Sequence, residues 1–86
     1  MMDGKHAVGV EISRFGKNEI FRANKEIILS AGTVGSPHIL MLSGIGDDEH
    51  LTDIGIETVH HLPDVGNNLQ DHLMVGLNMD VKEQIR

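Results

Sequence analysis

Ser36-Pro37 on one side and Gly44 on the other leave the apolar block Ile39-Leu40-Met41-Leu42 just two turns of helix. Ser36 is a good N-cap, and Pro37 suits a first helical position because no intrahelical bond needs its missing N–H. Gly44 stands where a left-handed cap is wanted. The spacing therefore predicts a helix from Ser36 to Ser43. Isolated helices shorter than about 12 residues are marginal in water, so this one must pack on other structure. Its flanks, Ser30-Ala31-Gly32 and Ser43-Gly44-Ile45-Gly46, are built from small residues. Such a corner either brings backbone against a ligand or packs two elements tightly.

Upstream the period changes. Val8, Val10 and Ile12 alternate with Gly9, Glu11 and Ser13, the pattern of a half-buried strand over His6–Ser13. Gly16-Lys17-Asn18 reads as a turn, Glu19–Ala23 as a second strand, and Glu26–Ala31 as a third. The third carries Ile27-Ile28-Leu29, apolar on both faces, which suits a strand inside a sheet covered on both sides. Nothing else in 86 residues could cover both faces, so the chain reads as part of a larger protein. Downstream, Asp48 is expected to cap a short helix over Glu49–Ile54 that leaves at Gly55. Glu57–His61 reads as a short strand, Pro63–Asp71 as a loop and Leu73–Val81 as a weakly alternating last strand.

Composition excludes several functions. With 13 acidic against 7 basic residues the net charge is −6, which argues against a nucleic acid or an anionic membrane as partner. The longest apolar run, Ile39–Leu42, is far below the roughly 20 residues of a membrane span. The N-terminus has no apolar stretch of the kind a signal peptide needs. There is no Cys, Trp or Tyr, so neither a disulfide nor a thiolate metal site can support a small core.

The chemistry-bearing side chains have ordinary readings. His60 and His61 are neighbours in a strand and point to opposite faces, so they do not share a metal with His72 easily. Asp47-Asp48-Glu49 lacks the alternating ligands and central Gly of a calcium loop and reads as a solvated helix start. Asp71-His72 is a poor catalytic dyad, because sequence neighbours rarely bond side chain to side chain. Asn68 reads as a loop anchor, and Met41, Met74 and Met79 as gap-fillers.

One pattern reaches further. Gly32-Thr33-x-x-Ser36-Pro37-x-Ile39-Leu40-x-x-Ser43-Gly44-Ile45-Gly46 resembles, at every fixed position, a signature of the glucose–methanol–choline (GMC) flavoprotein oxidoreductases. Gly9-Val10-Glu11, Lys25–Gly32 and Leu62-Pro63-x-Val65-Gly66-x-Asn68-Leu69-x-Asp71-His72 resemble the same family in the same order, with the insect glucose-dehydrogenase-like branch nearest. The resemblance implies an α/β fold class: a β-meander, a returning strand and short helices from an FAD-binding, Rossmann-like domain. Residues 1–86 would be part of that domain, with the signature at 32–46.

The same resemblance implies FAD as cofactor and oxidation of CH–OH groups of small alcohols or sugars by hydride transfer to the flavin. It makes Ser30, Ala31 and Gly32 cofactor-facing, together with Asp71 and His72. The family's Gly-x-Gly-x-x-Gly pyrophosphate seat is absent, as are its ribose-binding acid and its catalytic His with the His or Asn partner. Asp47 and Asp64 replace the usual Pro and Gly. No catalytic residue is therefore assigned within these residues, and the chain alone is expected to be inactive. The alternative is a non-catalytic remnant or interaction module that does not bind FAD.

Overall fold

The structure is a computed structural model describing residues 1–82. It orders them as β1 (Met2–Asp3), β2 (His6–Ala7), β3 (Gly9–Arg14), β4 (Lys17–Arg22), α1 (Gly32–Leu42), β5 (Ile45–Gly46), α2 (Asp48–Asp53) and β6 (His60–His61). The strands form three separate pairs: β1 with β2 and β3 with β4, both antiparallel, and β5 with β6, parallel.

The β3–β4 hairpin follows from its alternation. Its register places Val10 opposite Phe21 and Glu11 opposite Ile20, so Val10, Ile12 and Phe21 share one face. The turn is Phe15-Gly16, one residue earlier than expected. Both residues are left-handed, with φ of +50° and +75°, as a two-residue type I′ turn requires. Arg14 lies over the Phe15 ring at 5.8 Å.

The predicted third strand does not form. Glu26–Ala31 is irregular, leading from the hairpin into α1. A strand apolar on both faces needs a neighbour on each edge and a layer on each side, and the described residues supply neither. Leu73–Val81 likewise has no strand partner, and Leu73 is 97% exposed. Of Glu57–His61 only His60-His61 pairs.

Helix α1 begins earlier than its cap signals indicate. Ser36 does not cap it; the Ser36 hydroxyl accepts the Ala31 N–H at 2.9 Å, and Pro37 lies inside the helix. Gly32, at φ +88°, turns the backbone into the first turn. The other end is as expected. Gly44 takes φ +88° and donates its N–H to the Met41 carbonyl at 3.0 Å.

After Gly44 the chain makes a small parallel unit, β5–α2–β6, which gives the fold its α/β character. Asp47, not Asp48, is the N-cap residue of α2, and it makes no side-chain cap bond. The Asp48 carboxylate accepts the Thr58 hydroxyl at 2.6 Å, while its N–H is donated to His61 Nδ1 at 3.0 Å. These bonds tie the start of α2 to the segment entering β6. Leu51 of α2 is the single fully buried large side chain among the described residues.

The shape is elongated, 65 × 33 × 27 Å, with a radius of gyration of 20.3 Å. A compact domain of this length would have about 12 Å. Ile27–Leu29 and Ile39–Leu42 all retain solvent exposure, as a chain that packs on further structure would show.

Candidate functional site

The first turn of α1 and the loop after β6 face each other across a groove of about 680 Å³. That lies within the range of about 300–1,000 Å³ typical of small-molecule sites. Thr33, Val34, Pro37 and Met41 form the helix wall; Gly66, Asn67, Asn68, Leu69 and Gln70 form the loop wall.

The loop wall is built by local bonds. Pro63 starts a turn in which Val65 N–H is donated to the Leu62 carbonyl and Asn67 N–H to the Asp64 carbonyl. The Asn67 amide donates to the Pro63 carbonyl at 2.6 Å, and the Asn68 amide to the Asp64 carboxylate at 3.3 Å. Gly66 and Asn68 are both left-handed, at φ +79° and +60°. Asn is one of the few side chains that tolerates this conformation. The loop-anchor reading of Asn68 therefore holds, and the residue also lines the groove.

The helix wall brings backbone donors. The first N–H groups of a helix have no intrahelical partner, and no side chain caps this one. Such a start favours an acceptor, anionic or neutral, placed against it. The larger groove has no charged side chain in its lining: one hydroxyl, three carboxamides and four apolar side chains surround a glycine. A mixed neutral lining suits a flat, largely apolar ring system with polar edges. It gives a diphosphate no Lys or Arg to pair with.

The five residues that sequence assigns to the cofactor lie at the margins. Ser30 and Ala31 are exposed in the run leading to α1, and Gly32 is the first residue of the helix. Asp71 and His72 are exposed immediately after Gln70. None of the five lines the groove, although Thr33 and Gln70, their direct neighbours, do. A β-carbon on Gly32 would meet open space, so it is the left-handed backbone that demands glycine there, not a crowding neighbour. The Asp71 carboxylate accepts the backbone N–H of His72 at 2.7 Å, so it engages the backbone instead of the imidazole.

Sequence reasoning assigned none of the groove residues, Thr33, Val34, Pro37, Met41 and Gly66–Gln70, to the cofactor. The available signal was the Pro63…Gly66-x-Asn68 run, whose left-handed formers make a concave loop. A second hollow of about 320 Å³ shares Met41, Gly66 and Asn67 with the first and adds Asp47, His50 and Val65. Among the described residues no three His, Asp or Glu side chains gather as a metal site would require. No helix among them is long and apolar enough to cross a membrane.

Comparison with known proteins bears on the whole chain. The family model described as GMC oxidoreductase matches residues 1–74. A GMC-type oxidoreductase of Mycobacterium tuberculosis (strain CDC 1551) is 51% identical over 83 residues, covering 96% of this chain and 16% of that protein. An oxygen-dependent choline dehydrogenase of Rhizobium rhizogenes is 52% identical over 73 residues, covering 85% of this chain and 13% of the relative. One from Rhizobium johnstonii is 54% identical over 71 residues, covering 83% and 13%. The chain thus spans less than a fifth of the length of these relatives.

Proposed function

Since this chain belongs to the GMC oxidoreductase family, we propose that residues 1–86 are part of the FAD-binding domain of an oxidoreductase that oxidises CH–OH groups of small alcohols or sugars. The choline dehydrogenase relatives carry the name of an alcohol substrate, which supports that donor class. Bound FAD would accept the hydride; the protein's part is to hold and orient it.

The observation that carries this reading is the groove between α1 and the 63–70 loop. Its neutral lining, four apolar side chains with a hydroxyl and three carboxamides, fits a flat ring system with polar edges such as the flavin. The free N–H groups at the start of α1 would meet ring or ribityl acceptors. Val34, Pro37 and Leu69 would cover an apolar ring face and keep water from it. Ser30, Ala31 and Gly32 would then flank the groove on the helix side, and Asp71 and His72 on the loop side, next to the lining residues Thr33 and Gln70. These residues supply one wall of a site. The proton-abstracting base and the diphosphate seat belong to other segments of such a protein.

The test is flavin retention in the flavoprotein that carries this segment. Val34 is 79% exposed within these residues, and Val34→Asp puts a charge on the groove wall; an unchanged melting temperature of the variant shows that packing is kept. We expect flavin affinity to fall by about tenfold or more, equivalent to about 1.4 kcal/mol. Lys17→Asp, on the distant hairpin, should leave it unchanged. Unchanged affinity in Val34→Asp would remove the groove from the cofactor site. The isolated 86-residue chain should stay colourless with FAD and oxidise no alcohol. Tight FAD binding by that chain would contradict the one-wall reading.

A further inference from the structure

The two walls of the groove are not joined by hydrogen bonds among the described residues; every bond of the 63–70 loop stays within the loop or returns to Leu62. Where the walls approach each other, at Gly66, the facing groups on the helix are apolar. A β-carbon there would stand 3.4 Å from Met41 Cε, 3.7 Å from its Sδ and 3.9 Å from Pro37 Cβ. The same methionine reaches the parallel strands, since a β-carbon on Gly46 would stand 3.2 Å from Met41 Cγ. Met41 lines both the large groove and the smaller hollow behind it. It is half-buried, unbranched and wedged between two glycines on different segments.

We propose that Met41 is the positioning residue of this groove. Its thioether sets the spacing between helix wall and loop wall, and a ligand seated in the groove covers its sulfur. This inference rests on the reading of the groove as part of the FAD site. Pro37 is rigid and cannot adjust the gap. A flexible thioether fills an irregular gap without demanding one geometry. Met41 is part-exposed beside the groove, and a ligand seated there would shield it further.

The experiment compares the flavoprotein that carries this segment with and without its flavin, using hydrogen peroxide as probe. The peroxide gives one oxygen to the thioether sulfur, its O–O bond breaks and water leaves, so sulfur loses two electrons and peroxide gains them. Peptide mass spectrometry reads the rate at Met41 against a methionine peptide added to both samples. We expect oxidation at Met41 to be about fivefold or more slower with flavin bound, because access governs the rate. Equal rates in a sample whose absorbance shows bound flavin would overturn the role of Met41 and leave the FAD reading standing. A protein that holds no flavin at all would overturn the FAD reading and this inference with it.

Variants separate positioning from packing. Met41→Leu keeps volume and apolar character; Met41→Ala opens the gap. Flavin Kd, measured well below the melting temperature, should rise by about tenfold in the alanine variant and return to within about twofold in the leucine variant. A variant that melts earlier yet binds flavin unchanged would reduce Met41 to a core residue.

Discussion

A β-carbon on Gly44 would stand 2.6 Å from the carbonyl oxygen of Glu57. Val59 Cγ2 would be 2.8 Å away, and φ at Gly44 is already +88°. Two independent demands thus fall on one residue. The left-handed turn ends α1, and the close approach lets the Gly44 carbonyl accept N–H groups from Val59 at 2.7 Å and His60 at 3.1 Å. Gly44→Ala should cost about 2–4 kcal/mol, combining left-handed strain with overpacking. Urea unfolding of the flavoprotein that carries this segment measures the loss, and hydrogen exchange at Val59 and His60 locates it. Gly76→Ala, with open space around it, is the neutral control.

At the hairpin tip the expected change is a gain. Phe15 is left-handed and 95% exposed. Type I′ turns prefer Asn-Gly, so Phe15→Asn should stabilise the β3–β4 hairpin by about 0.5–1 kcal/mol despite losing the Arg14 contact. NMR shifts of Val10 and Phe21 across the pair report the hairpin population. A decrease would mean that the Arg14–Phe15 contact outweighs backbone preference.

Asp48 gives a third test. The sequence suggests a helix cap, but its carboxylate holds the Thr58 hydroxyl instead. Asp48→Ala should cost about 0.5–1.5 kcal/mol, and Asp48→Asn, which keeps an acceptor oxygen, markedly less. Combining Asp48→Ala with Thr58→Val should add little to the first loss, because the two act through one bond. Full additivity would show that the bond contributes nothing.

Gly32 calls for a backbone-specific probe. Because open space surrounds the missing side chain, Gly32→Ala should lose about 1–2 kcal/mol of helix stability through its φ of +88° alone. D-alanine, introduced by chemical synthesis, accepts that φ and should restore the helix, as read by circular dichroism. If both alanines weaken α1 equally, a steric cause is at work.

Besides Phe15 at the exposed hairpin tip, protease should find the C-terminal stretch early. Residues 67–82 carry no regular structure, and Leu73, Met74 and Leu77 are exposed. Chymotrypsin at low ratio is expected to cut there before Leu40 or Leu51, with the products read by mass spectrometry. Early cuts inside 32–61 would show that the β5–α2–β6 unit is the weaker region.

The features legible in the sequence are those set by local chemistry. Gly44 ended α1 as its type and place implied, and the alternation around Val10 and Ile12 produced a strand. The turn moved to Phe15-Gly16 because a left-handed phenylalanine leaves no trace in composition. Ser36 has the type and place of a cap, yet its hydroxyl accepts the Ala31 N–H and α1 starts four residues earlier, at Gly32. Ile27–Leu29 carry the pattern of an internal strand, but a ladder needs partners that the described residues do not contain. The groove was legible only at its edges. Gly32 and Asp71 flank it, whereas its walls come from segments far apart in sequence, residues 33–41 and 66–70, that approach each other at Met41 and Gly66.

Leu51 is the one large side chain in the described residues with no solvent contact at all. The heat absorbed in melting a protein, and the jump in heat capacity that accompanies it, grow with the apolar surface newly exposed to water. A chain that hides so little has little to reveal. In a calorimeter the isolated 86 residues should trace a shallow slope in place of a peak, and a sharp endotherm should appear only once α1 and the hairpin face have something to lie against.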